Sequence, residues 1–186
     1  LFVVGGCNGW DAATGQFCTN LTASVEVYDP MTARWRFASL MPTPRWGLAV
    51  VVLDSILYAI GGEAANGTRL ATVERYDPKA DRWASLAPLP EGRAYFGVGA
   101  IGTGVSGKLV VVGGCGQSCS DIFSSAVEYS IARNAWTPCS RMALPVGRFE
   151  FGAATVEGAR HALITGPHSL QQYVLCGDSR SPRSAG

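Results

Sequence analysis

Three arginines close three proline-bearing loops. Arg45 ends Met41-Pro42-Thr43-Pro44-Arg45, Arg93 ends Leu89-Pro90-Glu91-Gly92-Arg93, and Arg148 ends Leu144-Pro145-Val146-Gly147-Arg148. A guanidinium fork donates two parallel hydrogen bonds to a carboxylate, so arginines at matching loop ends point to an acidic segment of a partner protein. The same donors can hold backbone carbonyls inside the fold, and both roles stay open. Catalytic chemistry finds less material. The only histidines are His161 and His168, which leaves few candidates for a Ser-His-Asp arrangement. Among Cys7, Cys18, Cys115, Cys119, Cys139 and Cys176 only Cys115 and Cys119 stand close, whereas zinc takes four ligands in paired short spacings. No glycine-rich loop opens a helix to cradle a phosphate. The chain reads as a binder, not an enzyme, with no metal and no cofactor.

Charge narrows the partner class further. Lys and Arg number 15 against 14 Asp and Glu, so there is no electrostatic case for nucleic acid or an anionic membrane. The apolar stretch from Trp46 to Gly62 is split by Asp54-Ser55 into two β-rich runs. It reads as a buried hairpin, since a membrane-spanning helix needs about 20 apolar residues in a row. Cys7 with Cys18, and Cys115 with Cys119, each close one loop and are open to disulfide formation. Asn20-Leu21-Thr22 and Asn66-Gly67-Thr68 are acceptor sequons for N-glycosylation. Against these, buried free thiols are ordinary core residues, and the reading favours reduced cysteines in the cytoplasm.

The elements that must position the arginines announce themselves by repetition. Apolar runs end in glycine doublets at Gly5-Gly6, Gly61-Gly62 and Gly113-Gly114, with a worn copy at Leu163-Ile164-Thr165-Gly166. A period of about 50 residues is the mark of a propeller array. In phase with the doublets, Tyr28 is followed by Trp35, Tyr76 by Trp83, and Tyr129 by Trp136, all at one spacing. Tyr28-Asp29-Pro30 and Tyr76-Asp77-Pro78 predict matching turns between a third and a fourth strand. First strands are expected over Gly47 to Leu53, Gly97 to Ile101 and Gly152 to Val156. Hairpins this short, without helical periodicity, predict antiparallel meanders. With 186 residues and 47% hydrophobic content, the chain has length for one domain and ample core.

These triplets of Gly-Gly, Tyr and Trp resemble the kelch repeat family. The resemblance implies an all-β fold, an arc of a kelch-type β-propeller with four-stranded antiparallel blades. Two are complete (44–90 and 93–143) and two partial (1–41 and 147–176), before a flexible tail over 177–186. It implies a protein–protein interaction module, with a substrate adaptor of a cullin-type ubiquitin ligase as one form. An actin-binding cytoskeletal protein, or an enzyme whose site lies in missing blades, are the alternatives. The copper-binding oxidases of this family use paired Tyr, His and Cys, for which two histidines are too thin a supply. Arginines at the start of the first strand ring the channel mouth in similar propellers, which implies partner-binding roles for Arg45, Arg93 and Arg148. Arg45 stands immediately before Trp46-Gly47. Counting back from Gly97 and Gly152 puts Tyr95 and Glu150 in that place, with Arg93 and Arg148 four residues before their glycines.

Overall fold

Every glycine doublet follows directly on a strand, and the strands pair as antiparallel meanders in the computed structural model. The structure describes residues 1–11, 16–118, 120–150, 152–155, 161–166 and 169–174. In chain order the strands are Phe2–Val4 (β1), Cys7–Asp11 (β2), Gln16–Leu21 (β3), Val25–Asp29 (β4) and Arg34–Phe37 (β5). Ala49–Leu53 (β6), Ile56–Ile60 (β7), Val73–Asp77 (β8) and Arg82–Ser85 (β9) follow. Gly97–Ile101 (β10), Lys108–Val112 (β11), Ala126–Ser130 (β12) and Ala135–Pro138 (β13) form the next set, and Gly152–Thr155 (β14), His161–Gly166 (β15) and Ser169–Val174 (β16) the last. The fold is all-β, and among the described residues the only helical turns are two short 3-10 segments, Gly104–Ser106 and Ser140–Met142. Among the described residues no helix is long and apolar enough to cross a membrane.

The sheets are blades of the kelch type: β6-β7-β8-β9 and β10-β11-β12-β13 with four strands, β1-β4-β5 and β14-β15-β16 with three. Two compact units divide the chain, Leu1–Ala94 with the first two blades and Tyr95–Gly186 with the others. Within each blade the register follows from the turns. Asp54 and Ser55 both take positive φ, 51° and 63°, which joins Leu53 and Ile56 by a two-residue hairpin turn. Asp29 accepts the Met31 N–H at 2.9 Å, and Asp77 accepts that of Lys79 at 2.9 Å, so both Asp-Pro turns are held by the aspartate side chain. Across the resulting hairpins Tyr28 faces Trp35, Tyr76 faces Trp83 and Tyr129 faces Trp136, at ring separations of 5.1–5.2 Å.

The first two blades share a core. Val25, Met41 and Ala59 are buried together, with Phe2, Val4, Leu48 and Trp83 packed against them. Phe2 of the first blade meets the ring of Tyr76 of the second edge-on at 6.3 Å, and the Trp83 indole N–H donates to the Ser39 carbonyl at 3.0 Å. This is the inter-blade packing that the Tyr and Trp positions foreshadow. In the second unit Val110, Val112, Ala126, Cys139, Met142 and Leu144 form the equivalent cluster.

Three details depart from expectation. Between β1 and β4, β2 and β3 pair with each other as an added two-stranded sheet that a four-stranded blade does not call for, with a register shift between Asn8 and Trp10. The last repeat has a third strand, β16, paired along β15 from His161 to Gly166. And β6 begins at Ala49, because Gly47 sits at φ 59° and turns the chain before the ladder starts. The segment 177–186, His168, Val156, Cys119 and Cys176 lie outside the described residues.

Candidate partner-binding face

Each loop after a glycine doublet is closed by one repeated set of backbone hydrogen bonds. The N–H groups of Thr22, Leu70 and Phe123 donate to the carbonyls of Gly6, Gly62 and Gly114, at 3.0, 2.7 and 2.9 Å. The second glycine of each doublet then donates to the carbonyl of the arginine that ends the following loop: Gly6 to Arg45, Gly62 to Arg93, Gly114 to Arg148, at 2.8–2.9 Å. Glycine is required there for two reasons. Gly62 has φ 103°, and a Cβ on it would lie 2.7 Å from the Trp46 carbonyl oxygen. The proline-bearing loops and the loops after the doublets are therefore neighbours within each unit.

These bonds settle which positions correspond. Arg45, Arg93 and Arg148 are equivalent, four residues before β6, β10 and β14. Gly47 corresponds not to Gly97 and Gly152 but to Tyr95 and Glu150, which share its positive φ at 58° and 55°. Counting back from glycines misaligned the repeats, since the left-handed conformation at this position is kept while the residue type is not. A non-glycine residue in that region is uncommon and stays there only when its surroundings hold it.

Burial separates the three arginines. Arg45 is 0% exposed. Its Nη1 donates to a Glu74 carboxylate oxygen at 2.7 Å and to the Thr43 carbonyl at 3.1 Å, and its Nη2 to the Ala59 carbonyl at 3.1 Å. Thr43 Oγ1 donates to the other Glu74 oxygen at 2.8 Å, so the pair ties the proline loop to β7 and β8. Burial lowers the affinity of the Arg45 guanidinium for its proton, against the opposing pull of Glu74. Arg93 is 1% exposed, its Nη2 donating to Glu91 at 2.9 Å, and burial shifts it the same way. Arg148 is only half-buried and forms no ion pair with a described residue. The bland reading, an arginine holding backbone carbonyls in the fold, describes Arg45, although its bonds run within one blade and not between blades. What sequence reasoning missed was Glu74, whose place on β8 beside the arginine no local pattern signals.

Between their fixed ends the loops differ. Residues 63–70 carry a Glu63–Arg69 ion pair and a turn in which Asn66 Oδ1 accepts the Thr68 N–H at 3.1 Å. Residues 115–123 fold through Gly116 N–H to Asp121 O and Asp121 N–H to Ser118 O, both 2.8 Å. The β2–β3 hairpin is closed by a Cys7–Cys18 disulfide with Cα atoms 5.2 Å apart. Cys115 and Cys139 are disulfide-bonded as well, and no described cysteine is free. Reduced thiols, the expectation from sequence, are thus not what these residues show. Among the described residues no three His, Cys, Asp or Glu converge on a possible metal site.

Repeated four-stranded meanders with glycine-doublet, tyrosine and tryptophan in fixed register define kelch-type blades. A sequence profile described as the Kelch motif matches residues 1–42 and 44–90, and the chain belongs to the kelch repeat family. It is 31% identical to the human Kelch repeat and BTB domain-containing protein 13 over 156 residues, 78% of this chain and 28% of that protein. It is 37% identical to mouse Kelch domain-containing protein 7A over 61% of this chain and 13% of that protein, and 32% identical to Limulus polyphemus Beta-scruin over 61% and 12%. The chain spans under a third of the length of these curated relatives. Such homologues support a kelch-repeat protein-interaction module.

Proposed function

We propose that the chain recruits a partner protein through the loops that follow its glycine doublets and the proline-bearing loops beside them. One observation carries this reading: the three blades with a glycine doublet repeat the same closing hydrogen bonds at the loop ends, while the sequence between those ends differs. A rigid scaffold with variable loops is where binding specificity resides. The partner presents an acidic segment. Arg148 is the cation available to it, while Arg45 and Arg93 act indirectly, by holding the proline loops in place. The module is a binder without catalysis of its own.

In its cytoplasmic form this reading makes the chain a substrate adaptor of a cullin-type ubiquitin ligase. The support is family resemblance and the presence of a BTB domain in the name of one relative. An actin-binding cytoskeletal role is the alternative within the same class. The oxidised cysteines count against both of these cytosolic forms and favour a partner met outside the cytosol. The test is to identify co-purifying proteins with the full-length protein and measure affinity for the recovered partner after three changes: Arg148→Glu, residues 64–68 replaced by Gly and Ser, and Met31→Lys as a remote control. Affinity reduced by either loop change at unchanged melting temperature supports the proposal. Full affinity in both loop variants overturns it.

A further inference from the structure

The glycosylation sequons and the disulfides are explained by neither blade packing nor partner recruitment, and they fall together. Among the asparagines of the chain, Asn8 and Asn134 have Trp10 and Trp136 two residues on, so they are not acceptors. Asn20 and Asn66 are followed by Thr22 and Thr68, with Leu21 and Gly67 between, neither of which is proline. Both acceptor asparagines are exposed. Both stand in the segment between a glycine doublet and the backbone bond that closes it, Asn66 in a turn and Asn20 on β3, in the unit Leu1–Ala94.

We propose that this protein is an N-glycoprotein, carrying an oligosaccharide on Asn66 and a second on Asn20. Three independent features converge on this. The exposed Asn66 side chain accepts the Thr68 N–H through Oδ1, which engages its oxygen, and its Nδ2, the nitrogen that takes the sugar, makes no hydrogen bond with a described residue. Gly67, with φ 80°, has only the tip of Glu63, 3.9 Å away, near its would-be Cβ, so the residue between Asn66 and Thr68 faces open space. The third feature is redox state. Cys7 and Cys18 are linked within the hairpin that holds Asn20, and Cys115 and Cys139 are each in a disulfide as well. Disulfides form and persist in the secretory route, the route on which N-glycans are added, and are rare where thiols are kept reduced.

The chemistry is an amide alkylation. Asn66 Nδ2 bonds to the anomeric carbon of a polyprenyl-diphosphate-linked oligosaccharide, the bond from that carbon to the phosphate oxygen breaks, the nitrogen gives up one proton, and the polyprenyl diphosphate leaves as its anion. The glycans stand on the segments that the partner-binding proposal uses, but the two ideas are tested apart, because a glycan is read by mass without any partner and Arg148→Glu leaves both sequons intact.

The experiment takes the full-length protein from the cells that naturally make it, and records its intact mass and non-reducing peptide map with and without peptide-N-glycosidase. The expected result is a mass loss on enzyme treatment, with Asn66 converted to Asp, and a Cys7–Cys18 linked peptide. Expressed in the same cells, Asn66→Gln and Thr68→Ala each remove one enzyme-sensitive step and Asn20→Gln removes the other, with wild-type melting before glycan removal showing that these variants fold. An unmodified Asn66 overturns the proposal, whatever the partner-binding result. An unmodified Asn20 beside a modified Asn66 overturns its second half.

Discussion

Arg45 shows how a residue chosen for recognition chemistry can serve the fold. Its charge is fully buried beside Glu74, and a buried pair is strongly destabilising to break from one side, about 3–5 kcal/mol, because the remaining charge has no partner. Arg45→Met is expected to lower unfolding free energy by about that amount in denaturant titration, while Arg45→Met with Glu74→Leu recovers most of it. Equal stability of the single and double variants would remove the pair from the account. Tyr76 makes a second residue-scale prediction. Its ring is fully buried and its hydroxyl donates to Asp81 at 2.6 Å, and burial, then the Asp81 carboxylate, push its pKa up to about 12. The folded form therefore keeps a proton that the unfolded chain releases near pH 10. Its contribution is complete below about pH 10 and is lost as the pH rises toward about 12. Tyr76→Phe is expected to flatten the stability curve over that alkaline window, and an unchanged curve would count against it.

At the scale of the element, the hairpin β6–β7 rests on Asp54 and Ser55, both in a region that favours glycine and asparagine. The double change Asp54→Asn with Ser55→Gly is expected to raise stability by about 1 kcal/mol, read by thermal and denaturant unfolding. A loss of stability would mean that the aspartate and serine side chains hold the turn by contacts of their own. The β8–β9 hairpin tests inter-blade packing. Trp83 is half-buried, and its indole donates to Ser39 across the blade boundary. Trp83→Ala is expected to be destabilising by about 2–3 kcal/mol, below the range for a fully buried tryptophan. Binding lost at unchanged stability would instead make it a recognition residue.

For the whole chain, the outer face of the first blade is the conspicuous feature. Val3 opposes Glu26, which opposes Phe37, so these residues share one side of β1-β4-β5. Phe37 is 74% exposed and Trp35 52%, while Phe2, Val4 and Val25 on the other side pack against the second blade. Blades bury their apolar faces on neighbours, and an uncovered terminal face promotes association. These 186 residues alone are expected to associate in light scattering, and Phe37→Lys with Val3→Thr to reduce it. A monomeric chain with a sharp melt would show that this face tolerates water.

The sequence alone determined what is carried by spacing along the chain. The period, the glycine doublets that end β1, β7 and β11, the Asp-Pro turns and the two-residue hairpin at Asp54 are local matters of backbone conformation, and all were legible. Position by position the repeats were less so. Gly47, Tyr95 and Glu150 share a conformation without sharing a residue type, and only the hydrogen bonds from Gly6, Gly62 and Gly114 align them. Tertiary structure also decided that Arg45 is a buried strut, because Glu74 reaches it through strand pairing from 29 residues away. It decided that Cys7 pairs with Cys18, and that β2 pairs with β3, because pairing depends on which backbones approach in space. Local spacing fixes what each segment prefers, while burial and charge pairing depend on neighbours that the chain brings together only when folded.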